Sequence, residues 1–141
     1  MDSPALSSNP QELASRLNLE QGLVVQEIGN DSDSDPDLRA GIVSVTGSDM
    51  VDLDYEDVVD VAVLWFREDD GDLTDALVDA ITPLADQGVV WLLTPKPGRN
   101  GHVEPEDITE AAQTAGLRQT STISAGSQWQ GTRLVAPRAK R

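Results

Sequence analysis

The chain has 141 residues with 25 acidic and 10 basic side chains, so its formal net charge at pH 7 is −15. It contains no cysteine, which excludes disulfides, thiolate zinc sites and a thiol nucleophile. This length predicts one domain whose core needs no cross-links, and the scarcity of lysine and arginine predicts no direct binding to nucleic acid.

The amino terminus lacks the basic start and apolar run of a secretion signal, and no stretch approaches the roughly 20 apolar residues of a membrane span. We therefore expect a cytoplasmic protein with no membrane segment. Residues 1–10 are predicted to be a flexible lead-in, residues 11–137 a single α/β domain and residues 138–141 a basic tail. At the start of the domain, Gln11 to Leu17 has apolar residues at helical spacing, which predicts a short helix.

The first predicted strand is Leu23 to Ile28. Residues 30–37 follow it with the sequence NDSDSDPD, where a nucleotide-binding domain would have a glycine-rich loop. Asp35 or Asp37 can cap a helix that ends near Gly47, because a carboxylate there accepts a backbone hydrogen bond and complements the positive end of the helix dipole. The acids are thus typical of a helix start.

The strongest predicted strand is Val58 to Phe66, a nearly continuous apolar run that is typical of a central strand covered on both faces. A short edge strand is predicted before it, at Met50 to Leu53. The helix that follows runs from Asp72 to Gly88, and Pro83 distorts its last turn without ending it. With the next strand, Val89 to Leu93, these elements form a β-α-β unit with parallel strands.

The last third of the chain predicts a helix and a hairpin. Thr94 to Gly101 has loop composition, and Pro105 begins a helix that ends at Gly116. Leu117 to Ser124 and Trp129 to Val135 are strands joined by so short a link that they must be antiparallel. The predicted fold class is a three-layer, Rossmann-like α/β domain with a mostly parallel sheet and an antiparallel C-terminal hairpin.

The order of these elements resembles a class I S-adenosylmethionine-dependent methyltransferase of reduced size. The segments that carry this resemblance are Val24 to Gly29, Asp60 to Leu64, Leu84 to Leu93 and Ala115 to Leu117, followed by the terminal hairpin. The chain also resembles an uncharacterised actinobacterial family of unknown function. The segments similar to that family are Leu64 to Arg67, Leu93 to Lys96 and Gly101 to Pro105. The first resemblance implies a methyltransferase-like fold, and the second implies no activity.

The chain departs from the methyltransferase pattern where the cofactor would bind. Such enzymes let a glycine-rich backbone approach the cofactor, and they place an acid after the second strand for the ribose hydroxyls. Only Gly29 remains of the glycines, and Asn30 is a partial substitute. Asp52 or Asp54 could serve as the ribose acid, but residues 38–57 are too few for the second and third strands with their helices. We therefore expect no cofactor, and the loss of these features favours a protein that is not an enzyme.

The charge distribution leads to our first functional hypothesis. Asp31 to Asp79 contains 16 acids, with only Arg39 and Arg67 as counter-charges. We interpret the chain as a non-enzymatic regulatory or adaptor protein with an acidic surface for a protein partner, although solubility alone also explains such a surface. The alternative is a protein or enzyme that binds a small molecule like S-adenosylmethionine or a nucleotide. Its cleft would be lined by Gly29, Asn30, Arg67, Asp69, Thr94 and Lys96.

No catalytic residue and no metal ligand is assigned. Asp31, Asp33 and Asp35 have the spacing of calcium ligands in an EF-hand, but Pro36 occupies the position of the required glycine, which excludes that motif. The acids from Glu68 to Asp72 follow the central strand, where ligands bind in open sheets, yet a turn with a helix cap explains them equally.

Each of three further features allows two interpretations. His102 is either a general base assisted by Glu104 or Asp69, or a histidine at a helix start. Trp129 either is partly exposed and anchors a protein contact, or packs on the hairpin. Cations near the same sheet edge either bind an anion or pair with neighbouring acids. These cations are Arg67, Lys96 and Arg99.

Overall fold

The computed structural model describes residues 16–126 and 128–136. Five strands form one sheet in the order β1-β2-β3-β5-β4. The strands are β1 (Val25–Ile28), β2 (Val59–Trp65), β3 (Leu84–Pro95), β4 (Arg118–Ser124) and β5 (Trp129–Val135). The helices are α1 (Pro36–Thr46), α2 (Leu73–Ile81) and α3 (Pro105–Thr114), with a 3-10 turn at Glu68–Asp70.

Strand directions confirm the predicted sheet. β1, β2 and β3 pair in parallel, while β5 is antiparallel to both β3 and β4. All strands except β5 therefore run in one direction. The C-terminal hairpin is antiparallel as predicted, and β5 inserts between β3 and β4, so that β4 is left at the edge.

The alternation of side chains along β2 produces three layers. Val61 and Val63 join a core cluster that includes Leu38 and Ile42 of α1. Ala62 and Leu64 point to the opposite face, where their cluster includes Leu77 of α2 and Ile108 of α3. Because successive residues of a strand face opposite sides, a strand that is apolar throughout must be covered on both.

Local chemistry accounts for where the helices begin. The Asp35 side chain accepts a 3.0 Å hydrogen bond from Leu38 N, and Pro36 occupies the first helical position of α1. The helix ends at Gly47, which has a φ of 85° and donates to Val43 O at 2.8 Å. Asp72 likewise accepts from Thr74 N at 2.8 Å at the start of α2.

Two predicted element boundaries were wrong. α2 ends at Ile81, because the chain from Pro83 onward pairs with β2: Val59 N donates to Pro83 O at 2.9 Å, and β3 begins at Leu84. The register then shifts before Val89, so residues 85–88 bulge out of β3. The edge strand predicted at 50–53 reduces to Val51, which forms an isolated parallel bridge with Gln26.

Other predictions fall partly or wholly outside the described residues. The lead-in at 1–10 and the basic tail at 138–141 lie outside them, as do residues 11–15 of the first predicted helix. Residues 16–18 form a turn. Within the residues that the structure describes, no helix is long and apolar enough to cross a membrane.

The path of the chain creates a crevice at one end of the sheet. From β1 the chain passes through α1 to Val51, on the outer side of β1, and then crosses to β2 on its other side. Strand order thus reverses between β1 and β2. Open α/β sheets bind ligands beyond the carboxyl ends of the strands at such a reversal, so the fold predicts a functional site at this crevice.

Candidate functional site at the carboxyl ends of β1 and β2

Gly29 follows β1 and has a left-handed φ of 82°. A Cβ atom at this position would lie 2.4 Å from the backbone oxygen of Trp65, at the end of β2. A glycine is therefore needed because the backbone of the neighbouring strand is so close. The absence of a side chain at Gly29 lets the chain after β1 pack closely against the backbone at the end of β2.

Arg67 covers the ends of both strands. Its Nη1 atom donates to Gly29 O at 2.8 Å and to Trp65 O at 3.2 Å. Its Nε atom donates to Asp33 Oδ2 at 3.1 Å, and Nη2 donates to the other oxygen of the same carboxylate. Asp70 Oδ2 lies 3.3 Å from Nη1. The guanidinium thus joins the two strand ends to the acidic loop and to the 3-10 turn.

The partners of Arg67 keep it charged. Burial by itself opposes the charge, but the hydrogen bonds and charges of Asp33 and Asp70 raise the pKa of Arg67 overall. The hydrogen bond from Arg67 in turn lowers the pKa of Asp33. About half of the Asp33 side chain remains exposed, against 12% of the Arg67 side chain, so solvent screens the acid more than the base.

Two tryptophans form the apolar wall of this arrangement. The rings of Trp65 and Trp129 meet edge to face with their centroids 4.9 Å apart, and the Arg67 guanidinium lies 5.2 Å from the ring centre of Trp129. Trp129 is 2% exposed, and its Nε1 donates to Asp33 O at 3.0 Å. The interpretation of Trp129 as a partly exposed anchor was therefore wrong, because the hairpin brings the ring into the core.

Glu27 connects β1 to α1 and was missed by the sequence analysis. Its carboxylate accepts hydrogen bonds from Arg39 Nε at 2.6 Å, from Arg39 Nη2 at 2.7 Å and from Trp65 Nε1 at 3.0 Å. The bond with Glu27 raises the pKa of Arg39. A glutamate in a mostly apolar strand was the available signal, because a charge placed on a core-facing strand requires a partner.

The acidic loop after Gly29 is closed by its own hydrogen bonds. Asp31 N donates to Ser34 Oγ at 3.0 Å, Ser34 N donates to Asp31 O at 3.0 Å, and Ser32 N donates to Asp31 Oδ1 at 2.7 Å. Ser34 is buried. The loop is a folded turn ahead of α1, and across the described residues no group of three or more metal-binding side chains is found.

The structure brings three of the six predicted cleft residues together. Gly29, Asn30 and Arg67 line a cleft of about 330 Å³ at the crevice. Asp69 is exposed on the 3-10 turn and Lys96 follows β3, and neither lines this cleft. Thr94 is fully buried, and its Oγ1 has no hydrogen-bond partner among the described residues.

The other candidate residues have local partners. His102 Nδ1 donates to Pro95 O at 2.9 Å, which ties the loop before α3 to the end of β3. Arg99 is close enough to contribute to the lowered pKa of Asp33. Asp52 follows Val51 beside β1, where the ribose acid was expected, but its Oδ1 accepts from Asp54 N at 2.9 Å and it does not line the cleft.

These residues do not fit S-adenosylmethionine. The glycine that would let a ligand approach is in contact with the backbone of Trp65, and the carbonyl oxygen of Gly29 is bonded to Arg67. The loop that follows, Asp31 to Asp35, is closed by its own hydrogen bonds and accepts a hydrogen bond from the ring nitrogen of Trp129. A cofactor would have to displace these contacts before it could reach the strand ends.

The fold defines a methyltransferase-like α/β protein. The structure is similar to that of the pyocyanin biosynthetic protein PhzM, with a TM-score of 0.66 and 14% identity over 93% of this chain and 54% of that one. It is also similar to a SAM-dependent methyltransferase from Aquifex aeolicus, with a TM-score of 0.56 and 12% identity over 95% and 94% of the two chains. The chain spans about half the length of PhzM. At these identities the likeness concerns the fold alone.

The chain belongs to the family described as protein of unknown function (DUF3052), whose model matches residues 14–138. An uncharacterized protein of Mycobacterium tuberculosis is 47% identical over 127 residues, which cover 90% of this chain and 80% of the relative. The resemblance to an actinobacterial family of unknown function is thereby confirmed.

Proposed function

We propose that this protein is a non-enzymatic regulatory or adaptor protein that binds a basic protein partner through its acidic surface. The observation that carries the proposal is the position of Arg67. Its guanidinium bonds the carbonyl oxygens of Gly29 and Trp65, so a side chain of the protein itself covers the place where open sheets bind their ligands. The polar groups at the crevice are therefore used in hydrogen bonds that stabilise the fold, which supports a role without a cofactor.

The acidic region, Asp31 to Asp79, supports the choice of partner. All of its acids except Asp35 and Asp60 are exposed. Both of its bases have internal partners, since Arg39 pairs with Glu27 and Arg67 with Asp33 and Asp70. The remaining carboxylates create a negative field that attracts a lysine- or arginine-rich surface and speeds its association.

Within this region we propose residues 49–57 as the contact segment. Its acids are all exposed and it contains no base. Leu53 lies among them with 68% of its surface exposed, and a partner can bury it while its cations meet the carboxylates. The acids of the segment are Asp49, Asp52, Asp54, Glu56 and Asp57.

A charge-neutralised variant tests the contact. In one variant Asp52, Asp54, Glu56 and Asp57 are changed to their amides, which keep an acceptor oxygen for the local turns. The matched control changes the same number of exposed acids at α3 in the same way: Glu104, Glu106, Asp107 and Glu110. Tagged proteins are used to capture partners from an actinobacterial lysate, followed by mass spectrometry.

We expect one basic protein to be captured at about 0.05 M salt and lost at about 0.5 M, because the shorter Debye length screens exposed charges. The variant in the contact segment should lose it and the α3 control should retain it. Equal capture by both variants would contradict the contact segment, and capture that is independent of salt would contradict the acidic surface.

The alternative proposal, a binding site for a small molecule like S-adenosylmethionine or a nucleotide, rests on the cleft of about 330 Å³ beside Arg67. It requires that the ligand displace the internal contacts of the strand ends and of the acidic loop. Thermal unfolding in the presence of S-adenosylmethionine, S-adenosylhomocysteine and ATP separates the two proposals. A ligand at a hundred times its dissociation constant stabilises the folded state by about 2.7 kcal/mol. We expect no shift for the wild type, and a clear shift would overturn the non-enzymatic proposal.

A further inference from the structure

The two edges of the sheet differ in how they are protected. Beside β1, the outer neighbour is the single residue Val51, and acids follow it directly. At the opposite edge, β4 has seven residues and, of the strands that the structure describes, pairs only with β5. All of its side chains are exposed except that of Ile123, which is half-buried. Among the described residues, β4 is therefore the longer edge and has no second neighbouring strand.

The hydrogen-bond pattern of the hairpin shows which backbone groups of β4 are free. Ala125 N donates to Trp129 O at 2.9 Å. Because bonded and non-bonded pairs alternate in an antiparallel ladder, the N–H and C=O groups of Thr122 and Ser124 point away from β5. Ser124 O accepts a 3.4 Å bond from Arg16 Nη1. No hydrogen bond from the rest of the described chain reaches the outward groups of Thr122, and these are the groups that an added strand would bond.

The second half of β4 lacks the usual means of preventing such pairing. Exposed edges are normally protected by lysines, other charges, prolines or bulges. β4 contains Arg118 as its only charge and no acid or proline. A register shift between Gln119 and Ser121 interrupts its first half, which leaves Ser121 to Ser124 as the regular edge. In a chain of net charge −15, this strand has no carboxylate of its own that would repel a second copy paired along it.

A groove beside β4 gives an added strand room for its side chains. A cavity of about 560 Å³ lies between α3 and β4 and is lined by Thr109, Gln113 and Leu117 together with the strand itself. A strand that extends the sheet at β4 would place alternate side chains over this groove.

We propose that two copies of this chain associate through β4, with the strands antiparallel and Thr122 opposite Thr122 of the second copy. In this arrangement each Thr122 donates its N–H to the other's carbonyl, and the threonines form a favourable cross-strand pair. The same surface is used on both copies, as a twofold axis requires. This interface is separate from the acidic contact segment at residues 49–57.

The absence of native cysteine makes a cross-linking experiment unambiguous. Opposed residues of a bonded pair have Cα atoms about 5.5 Å apart, within the range that a disulfide spans. We expect Thr122→Cys to form a disulfide-linked dimer under mild oxidation. The matched control is Ser48→Cys, an exposed position after α1, which should form little disulfide-linked dimer because the proposed interface does not bring the two Ser48 positions together. Equal cross-linking of both variants would overturn the proposal.

Sedimentation equilibrium measures the association without a cross-link. The wild type should show a concentration-dependent dimer that Thr122→Pro abolishes, since proline removes the outward N–H but no bond to β5. Thr122→Lys tests the same edge if the proline variant does not fold, which circular dichroism would reveal. A wild type that is monomeric at every concentration, or a dimer that persists in the folded variants, would refute pairing through β4.

Salt distinguishes this association from the proposed partner contact. Raising salt from about 0.05 M to about 0.5 M screens the mutual repulsion of two negative chains, so the dimer should become tighter. Binding of a basic partner should weaken over the same range. A dimer that dissociates with added salt would contradict pairing through the uncharged edge of β4.

Discussion

At the scale of single residues, Gly29 and Arg67 decide what the crevice can do. The glycine is required by a backbone oxygen of the neighbouring strand, and the arginine bonds that same oxygen together with the carbonyl of the glycine. Both residues occupy positions where a nucleotide-binding protein would contact its ligand. Here their interactions are satisfied within the chain, so an observer who reads only residue types would mistake packing for binding.

Substitution of Gly29 separates this contact from ordinary glycine effects. Gly29 and Gly98 have φ values of 82° and 89°, but a Cβ at Gly98 meets nothing within 4 Å. We expect Gly98→Ala to lower the free energy of unfolding by about 1 kcal/mol through backbone strain, and Gly29→Ala by about 3 kcal/mol because the contact with Trp65 is added. Urea denaturation measures both, and equal losses would show that the backbone oxygen moves aside at little cost.

At the scale of elements, the acidic loop is the start of α1. Asp35 accepts from Leu38 N, while Asp33 holds Arg67 and accepts the ring N–H of Trp129 on its carbonyl. The loop therefore positions α1 against β1 and also attaches it to the C-terminal hairpin. Its acids have distinct structural roles, although they look alike in the sequence.

The cap of α1 can be tested against a neighbouring acid. Asp35→Ala removes the acceptor for Leu38 N and should lower the free energy of unfolding by about 1 kcal/mol. Asp37→Ala, on an exposed residue of the first turn, removes only an interaction with the helix dipole and should cost a few tenths of that, on the order of 0.3 kcal/mol. Thermal and urea unfolding of the two variants provide the comparison. A larger loss for Asp37→Ala than for Asp35→Ala would show that Asp35 is not the residue that caps α1.

At the scale of the whole molecule, the net charge of −15 opposes the folded state. The strands of the core are mostly apolar, so apart from Glu27, Asp60 and Asp86 the described acids lie on helices, turns and loops, where solvent surrounds most of them. Compaction brings these like charges closer together than they are in the unfolded chain. The stability of the protein should therefore depend on ionic strength even where no partner is bound.

Added salt should raise the temperature of unfolding. The Debye length falls from about 10 Å at 0.1 M to about 3 Å at 1 M, so repulsion among the acids is screened more strongly than the partly buried pair of Glu27 and Arg39. Scanning calorimetry in sodium chloride measures the effect, at a protein concentration low enough to keep the chain monomeric. A falling midpoint would indicate that ion pairs, and not repulsion, dominate the electrostatics.

The sequence alone determined the order of elements and the starts of two helices. Apolar periodicity marks β2 and the helices that cover it, and Asp35 and Asp72 cap helices through bonds that span only two or three residues. Such features are local, because the groups that make them are neighbours in the chain. The family resemblance likewise rests on short segments and on their order.

Only the tertiary structure decided the end of α2, the burial of Trp129 and the closure of the crevice. α2 stops because Pro83 and Leu84 pair with β2, and Trp129 is buried because β5 lies beside β3. The bonds of Arg67 to Asp33 and of Trp129 to Asp33 join residues 34 and 96 positions apart. Contacts of this kind depend on which strands become neighbours, and no local pattern of side chains encodes that choice.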